Sequence, residues 1–156
     1  MENVITVSNL YKSFSKNTKK PSSISVIENI NLEVNHSEFV TIFGPNGCGK
    51  TTFLNILAGL LTPDNGRVLI QGKNPGLGKT GYVFQNFTES LFPWRKNIDN
   101  IAFPLELKGI PKAERYKNVI VLEETLSIKI DNDSYPYRLS GGQQQLVSIA
   151  RALIDQ

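Results

Sequence analysis

Apolar and polar positions alternate along Val4 to Leu10 in the two-residue rhythm of an edge strand, and the rhythm returns at Ile30 to Val34. Between them "SKNTKKPSSIS", Ser15 to Ser25, is polar and predicts a solvated loop, so the chain opens on a hairpin-like pair. The rhythm then stops. "FVTIF", Phe39 to Phe43, is apolar or β-branched throughout, which predicts a strand buried on both faces. Leu54, Leu57, Ala58 and Leu61 follow at helical spacing, and Gly59 and Pro63 mark an end. Phe39 to Leu60 therefore predicts strand, glycine loop, helix. "RVLIQG", Arg67 to Gly72, and "TGYVFQ", Thr80 to Gln85, predict two more short strands.

From about Asn86 to Tyr137 the pattern changes. Pro93, Pro104, Pro111 and Pro136 punctuate segments of helical periodicity such as Lys112 to Thr125, which predicts a helical insertion. "LSGGQQQLVSIARALI" then runs from a glycine turn into a helix with Leu146, Ile149, Ala150 and Leu153 on one apolar face. No internal repeat or low-complexity tract interrupts the chain. The expected fold class is α/β, in one domain over 1–156. Within it, 1–88 is expected to form a core with a β subdomain, 89–140 a helical subdomain, and 141–156 the helix after the second glycine turn.

Composition narrows the picture modestly. At 156 residues and 40% apolar content the chain can bury a core. The 17 Lys and Arg against 14 Asp and Glu give +3, and the one basic cluster, Lys16, Lys19 and Lys20, is too local to argue for nucleic acid. A single cysteine, Cys48, forms no internal disulfide, and the chain opens on no charged-then-apolar leader, so a reducing, cytosolic setting is the expectation. No apolar run approaches the ~20 residues of a membrane-spanning helix. A membrane would therefore be reached through a partner.

Chemistry enters at "GPNGCGKTT", Gly44 to Thr52. Gly44, Gly49, Lys50 and Thr51 match G-x-x-x-x-G-K-[ST], set between a predicted strand and helix as that motif requires. Gly44, Gly47 and Gly49, with Pro45, Asn46 and Cys48 between them, let main-chain N–H groups converge on phosphate oxygens with no Cβ in the way. The helix that begins near Lys50 offers its positive end to the same anion. Lys50 adds a point charge on the outer phosphates, and the Thr51 hydroxyl, followed by Thr52, is placed to ligate Mg2+. These residues predict a nucleoside triphosphate site, and leave open whether it serves a kinase, a GTPase, a motor or a transporter ATPase. Cys48 is either a thiol activated by the helix end or a small residue at an unconstrained loop position.

"LSGGQ", Leu139 to Gln143, is a second small-residue turn before a helix. It is either a plain N-cap built on Ser140 or a second anion contact made by Ser140, Gly141, Gly142 and Gln143. The phosphate loop, then Gln85 closing "GYVFQ", then "LSGGQQQ" and "IARAL", in this order and spacing from Val4 to the end, resembles the ATP-binding cassette (ABC) family, the ATPase subunits of ABC transporters.

The resemblance implies a P-loop NTPase (RecA-like) core with an N-terminal antiparallel β subdomain and an inserted helical subdomain, binding ATP and Mg2+. It implies that Phe14, or failing that Tyr11, stacks on adenine, and that Gln85 helps hold Mg2+ and the attacking water. It further implies that Ser140 and Gly142 act on the nucleotide of a second, head-to-tail ATPase subunit. The partners implied are membrane-spanning permease subunits and, indirectly, a substrate-binding protein. The location implied is the cytoplasmic face of the cell membrane, as a peripheral subunit.

"LFPWR" and "NIAFPLELKG" are most similar to importers of nitrate, sulfonate, taurine and related small anions. Leu91, Phe92 and Trp94 then either contact the membrane partner or pack the helical region's own core. Leu146 stands where the family usually has arginine, and His36 in "NHSEF" is expected to be an exposed turn residue rather than the family's catalytic histidine. On this resemblance the Mg2+-binding aspartate, the catalytic glutamate and the later switch histidine are expected beyond Gln156. The chain is then an N-terminal fragment, without the C-terminal strands, that binds nucleotide and does not cleave it at a useful rate. A non-transport ATPase of the same class and a binding-only module are the alternatives.

Overall fold

The structure is a computed structural model that describes residues 3–16, 22–76, 80–86 and 90–155, with the side chains of Lys16 and Ser22 excepted. Lys19 and Lys20, and the middle of the predicted 15–25 loop, lie outside the described residues. The chain forms two compact units, Met1–Gly78 and Lys79–Gln156.

In the first unit, β1 (Asn3–Lys16), β2 (Ser22–Asn35) and β3 (Asn65–Ile70) make an antiparallel sheet in the order β2-β1-β3. The hairpin arms run further than the apolar rhythm indicates. Ser13, Phe14, Ser15 and Lys16 pair with Ser25, Ile24, Ser23 and Ser22, because ladder bonds use the main chain and polar side chains do not forbid them. Val7, Leu10, Ile27, Val68 and Ile70 bury one face of this sheet, and α1 (Lys50–Leu57) packs Phe53 and Ile56 against it. Each such side chain contributes about 1.5–3 kcal/mol by leaving water. The helix ends as its glycine predicts: Gly59, at φ 75, donates to Ile56 O and Leu60 N donates to Asn55 O, the paired bonds of a Schellman cap.

Two predicted strands are not strands. Phe39 to Phe43 and Thr80 to Gln85 belong to no ladder among the described residues. Phe39 is 93% exposed and Phe43 88%, the reverse of burial on both faces. A central strand is made by neighbours on both edges, and the described residues supply only the antiparallel ladders of β1 with β2 and β3.

The second unit is helical: α2 (Asn97–Ile101), α3 (Phe103–Leu107), α4 (Lys112–Thr125), a 3-10 turn (Pro136–Arg138) and α5 (Gly141–Leu153). Ile98, Ile101, Val119, Val147 and Ala150 meet in its core, joined by Leu91. Asn100, fully buried, ties down the turn before α2. Its Oδ1 accepts from Phe92 N at 2.8 Å and its Nδ2 donates to the Phe92, Arg95 and Lys96 carbonyls. Leu91 is therefore held in the core while Trp94 is 72% exposed, with Phe92 between Trp94 and Phe103 at centroid distances of 5.6 and 4.8 Å.

The apolar faces of α1 and α5 overlap the predicted ones only in part: Leu57 and Leu61 pack against the sheet's core and Ala150 is fully buried, as predicted. α1 buries Phe53 and Ile56 and leaves Leu54 exposed; α5 buries Val147 and Ala150 and leaves Leu146 and Leu153 exposed. Both helices carry apolar residues on adjoining faces, so spacing alone selects no single one.

Candidate nucleotide site

The phosphate loop begins where the chain leaves Phe43 and ends on α1. Cys48 N donates to Pro45 O at 3.4 Å, which closes a turn over Asn46 and Gly47, and Gly47 takes φ 81. Gly49 precedes the helix at φ 98, and a Cβ there would stand 2.9 Å from both Val26 Cγ1 and Val26 O, so only glycine fits. A Cβ on Gly44 would stand 2.7 Å from Cys48 Sγ. The loop is thus tight against the Val26 main chain at Gly49 and against the Cys48 side chain at Gly44.

Lys50 folds back into it. Its ammonium donates to Gly44 O and Pro45 O, both at 2.8 Å, and lies 3.8 Å from Cys48 Sγ. Thr51 is exposed and Thr52 half-buried on the first turn of α1, which carries no acidic residue. An N-terminal turn has main-chain N–H groups without intrahelical acceptors, and no acidic side chain of the first turn offsets that positive end. Gly44, Gly47, Gly49, Lys50 and Thr51 fit a nucleotide's phosphates with a divalent cation: a narrow glycine loop, one ammonium and one hydroxyl.

Phe14 lies in β1 opposite Ile24, 42% exposed, with Lys12 Nζ 5.6 Å from its ring centroid. Tyr11, also exposed, pairs with Asn65. Asp64 was not singled out by the sequence, where Gly59 and Pro63 mark only the end of the helix. Here its carboxylate gathers Lys12 Nζ, Ser13 N and the Ser13 hydroxyl. The Lys12 hydrogen bond first, and those from Ser13 next, hold its carboxyl down to about 2. His36 is exposed in the turn after β2, its Nδ1 2.8 Å from Ser37 Oγ.

The remaining predicted residues belong to the second unit. Gln85 is exposed in a segment without regular structure, which passes close to the end of α5 at Gly81: a Cβ there would stand 2.4 Å from Ala152 O. Ser140 is the N-cap of α5 in a capping box; its Oγ accepts from Gln143 N at 3.4 Å and Gln143 Oε1 accepts from Ser140 N at 3.0 Å. Gly141 and Gly142 form the first exposed turn, and a Cβ on Gly142 would meet nothing within 4 Å. Gln144, unremarked in the "QQQ" run, donates to Pro136 O at 2.9 Å and Leu139 O at 3.2 Å and so fastens the preceding turn to the helix. The structure brings the loop residues Gly44 to Thr51 into one cradle and Ser140 to Gln143 into one helix start.

The sequence matches the ABC transporter family over residues 27–156. It is 47% identical, over 97% of its length and 55% of the relative's, to the uncharacterized ABC transporter ATP-binding protein MJ0412 of Methanocaldococcus jannaschii. It is 43% identical, over 82% of its length and 50% of the relative's, to the taurine import ATP-binding protein TauB of Escherichia coli O157:H7. To the spermidine/putrescine import ATP-binding protein PotA of Vibrio vulnificus it is 39% identical, over 98% of its length and 40% of the relative's.

Among solved structures, the dimeric post-hydrolysis state of the ATP-binding cassette MJ0796, bound to ADP and Pi, superposes with a TM-score of 0.83 at 34% identity, over 97% of this chain and 69% of that one. The chain spans about half the length of the curated relatives it matches. The fold is the expected one, a mixed α/β P-loop NTPase cassette with an antiparallel sheet. On its phosphate loop, its second glycine turn and these likenesses, the chain belongs to the ABC transporter family.

Proposed function

We propose that this chain is the nucleotide-binding part of an importer's ATPase subunit, binding ATP with Mg2+ and coupling its hydrolysis, in the whole protein, to uptake of a small solute. The observation that carries the reading is the cradle of Gly44 to Thr51, in which the Lys50 ammonium is held by two loop carbonyls at the positive end of α1. Lys50 neutralises the outer phosphates, Thr51 and Gln85 supply oxygens to Mg2+, and Phe14 stacks on the base. Pro45, Asn46, Cys48 and Thr52 complete the loop's contact with the phosphates. Ser140, Gly141, Gly142 and Gln143 cover the nucleotide of a second ATPase subunit.

The reading divides the chain at 1–88, 89–140 and 141–156, as core, helical subdomain and signature helix. It assigns nucleotide binding to these 156 residues and hydrolysis to the whole protein. Among the described residues no helix is long and apolar enough to cross a membrane. The subunit would sit on the cytoplasmic face of the membrane, on permease subunits served by a substrate-binding protein. Nitrate, sulfonate or taurine is the proposed solute class, supported by "LFPWR" and "NIAFPLELKG" and the taurine-import relative. A polyamine is the second reading, favoured by the PotA relative.

The test has two arms. Lys50→Ala should weaken Mg-ATP binding to the full-length protein at least about tenfold by calorimetry, as expected for a charge-assisted phosphate contact; unchanged affinity sinks the site. Cells lacking the gene should lose taurine uptake and keep putrescine uptake, and the opposite pattern replaces the anion with the polyamine.

A further inference from the structure

β1 is irregular where it approaches Phe14. Its register with β2 slips between Leu10 and Lys12 and again between Lys12 and Ser13, and its register with β3 slips between Ser8 and Tyr11. Main-chain pairing so interrupted leaves the course of residues 11–13 underdetermined. Asp64, the residue just ahead of β3, supplies what the ladder lacks. Its Oδ1 accepts from Lys12 Nζ at 2.6 Å, and its Oδ2 accepts from Ser13 N at 2.7 Å and from the Ser13 hydroxyl at 2.9 Å. Its own N–H donates to Tyr11 O at 2.9 Å. Three consecutive residues are thus tied to one, immediately before the ring.

The consequence reaches the ring through Lys12. Its side chain is largely buried, and its ammonium, anchored by Asp64, stands over the Phe14 ring at 5.6 Å from the centroid. A cation at that distance is attracted to the ring's electron-rich face and limits how the ring can turn. Were the ammonium free, it would compete with any base for that face.

We propose that Asp64 is a positioning residue for nucleotide binding: by holding Lys12 and Ser13 it fixes the plane of the Phe14 ring and keeps the Lys12 ammonium on one face, leaving the other for the adenine base. This rests on the reading of Phe14 as the adenine platform. The role is specific to the base. Asp64 touches none of Gly44 to Thr51 through the bonds described, so it should act on the purine and leave the phosphates alone.

The experiment compares ATP with inorganic tripolyphosphate, which shares the phosphates and lacks the base, by calorimetry on the full-length protein. Phe14→Ala should weaken ATP roughly five- to hundredfold, the range for losing one base–aromatic stack, and leave tripolyphosphate unchanged. Asp64→Asn should weaken ATP about fivefold, a part of that loss, with tripolyphosphate within about twofold. Asp64→Glu should restore most of the ATP affinity, and Asp64→Asn should add nothing in the Phe14→Ala background. Equal losses for ATP and tripolyphosphate would mean a general structural role and overturn the proposal, as would full additivity with Phe14→Ala. If Phe14→Ala weakens ATP and Asp64→Asn does not, the positioning role alone falls. If Phe14→Ala leaves ATP unchanged, the platform reading falls and takes the inference with it.

Discussion

Glu123, 7% exposed on α4, accepts from Asn132 Nδ2 at 2.7 Å through one carboxylate oxygen, while its other oxygen and Asn132 Oδ1 are both buried without a hydrogen-bond partner. Burial pushes its carboxyl above the usual range, and the Asn132 bond only partly opposes this. Between the ordinary glutamate value and the raised one the folded chain holds a proton that the unfolded chain has lost, so the unit's stability falls as pH rises through that window. A protonated Glu123 carries no charge into that buried setting. Glu123→Gln is uncharged at every pH and should stabilise the chain by about 1 kcal/mol at pH 8, with little effect near pH 4. Melting curves at the two pH values check this; parallel behaviour of variant and parent would refute it. Asp64 has the opposite sign. Its lowered carboxyl contributes stability above the ordinary aspartate range, lost as pH falls toward about 2. Neither carboxylate was legible in the sequence, since the partners of Asp64 lie 51 and 52 positions away and those of Glu123 are set by packing. The setting of Lys50 in the glycine loop was legible, because its hydrogen-bond partners Gly44 and Pro45 lie within six residues.

At the scale of elements, boundaries were more legible than faces. The helix expected over Lys112 to Thr125 has those bounds, and Ser140 and Gly59 do the capping their residue types suit. Caps and turns are local chemistry. Which face of α1 or α5 is buried is decided by what stands beside it, and both helices offer two candidates. Ile56→Ala should therefore cost about 2–5 kcal/mol by emptying a filled site. Leu54→Ala, one turn face away, should stay within about 0.5 kcal/mol, as surface changes do. Equal losses in urea unfolding would return the face predicted from spacing. The segments Phe39 to Phe43 and Thr80 to Gln85 read as strands because composition reports what a segment suits, whereas a strand also needs a ladder.

At the scale of the whole molecule, Ser140 is a poor place to probe pairing between subunits, because its hydroxyl already caps α5. Gly142 is better: it sits on the exposed first turn with open space where a side chain would go. Gly142→Glu should leave the monomer's unfolding free energy within about 0.5 kcal/mol, yet abolish the ATP-dependent dimer on a sizing column. A dimer retained by that variant would remove the second subunit's contact from the proposed function. A different kind of association follows from Phe39 to Phe43. Five successive residues there carry no charge and no proline, and expose two phenylalanine rings beside unladdered main chain. That is the composition of a segment that adds edge to edge into fibrils. Produced as residues 1–156 alone, the chain should scatter light increasingly with concentration, and Phe39→Lys, which places a gatekeeper charge in the run, should suppress this. Its colloidal behaviour in the test tube would then be governed by one short sticky stretch immediately ahead of the phosphate loop.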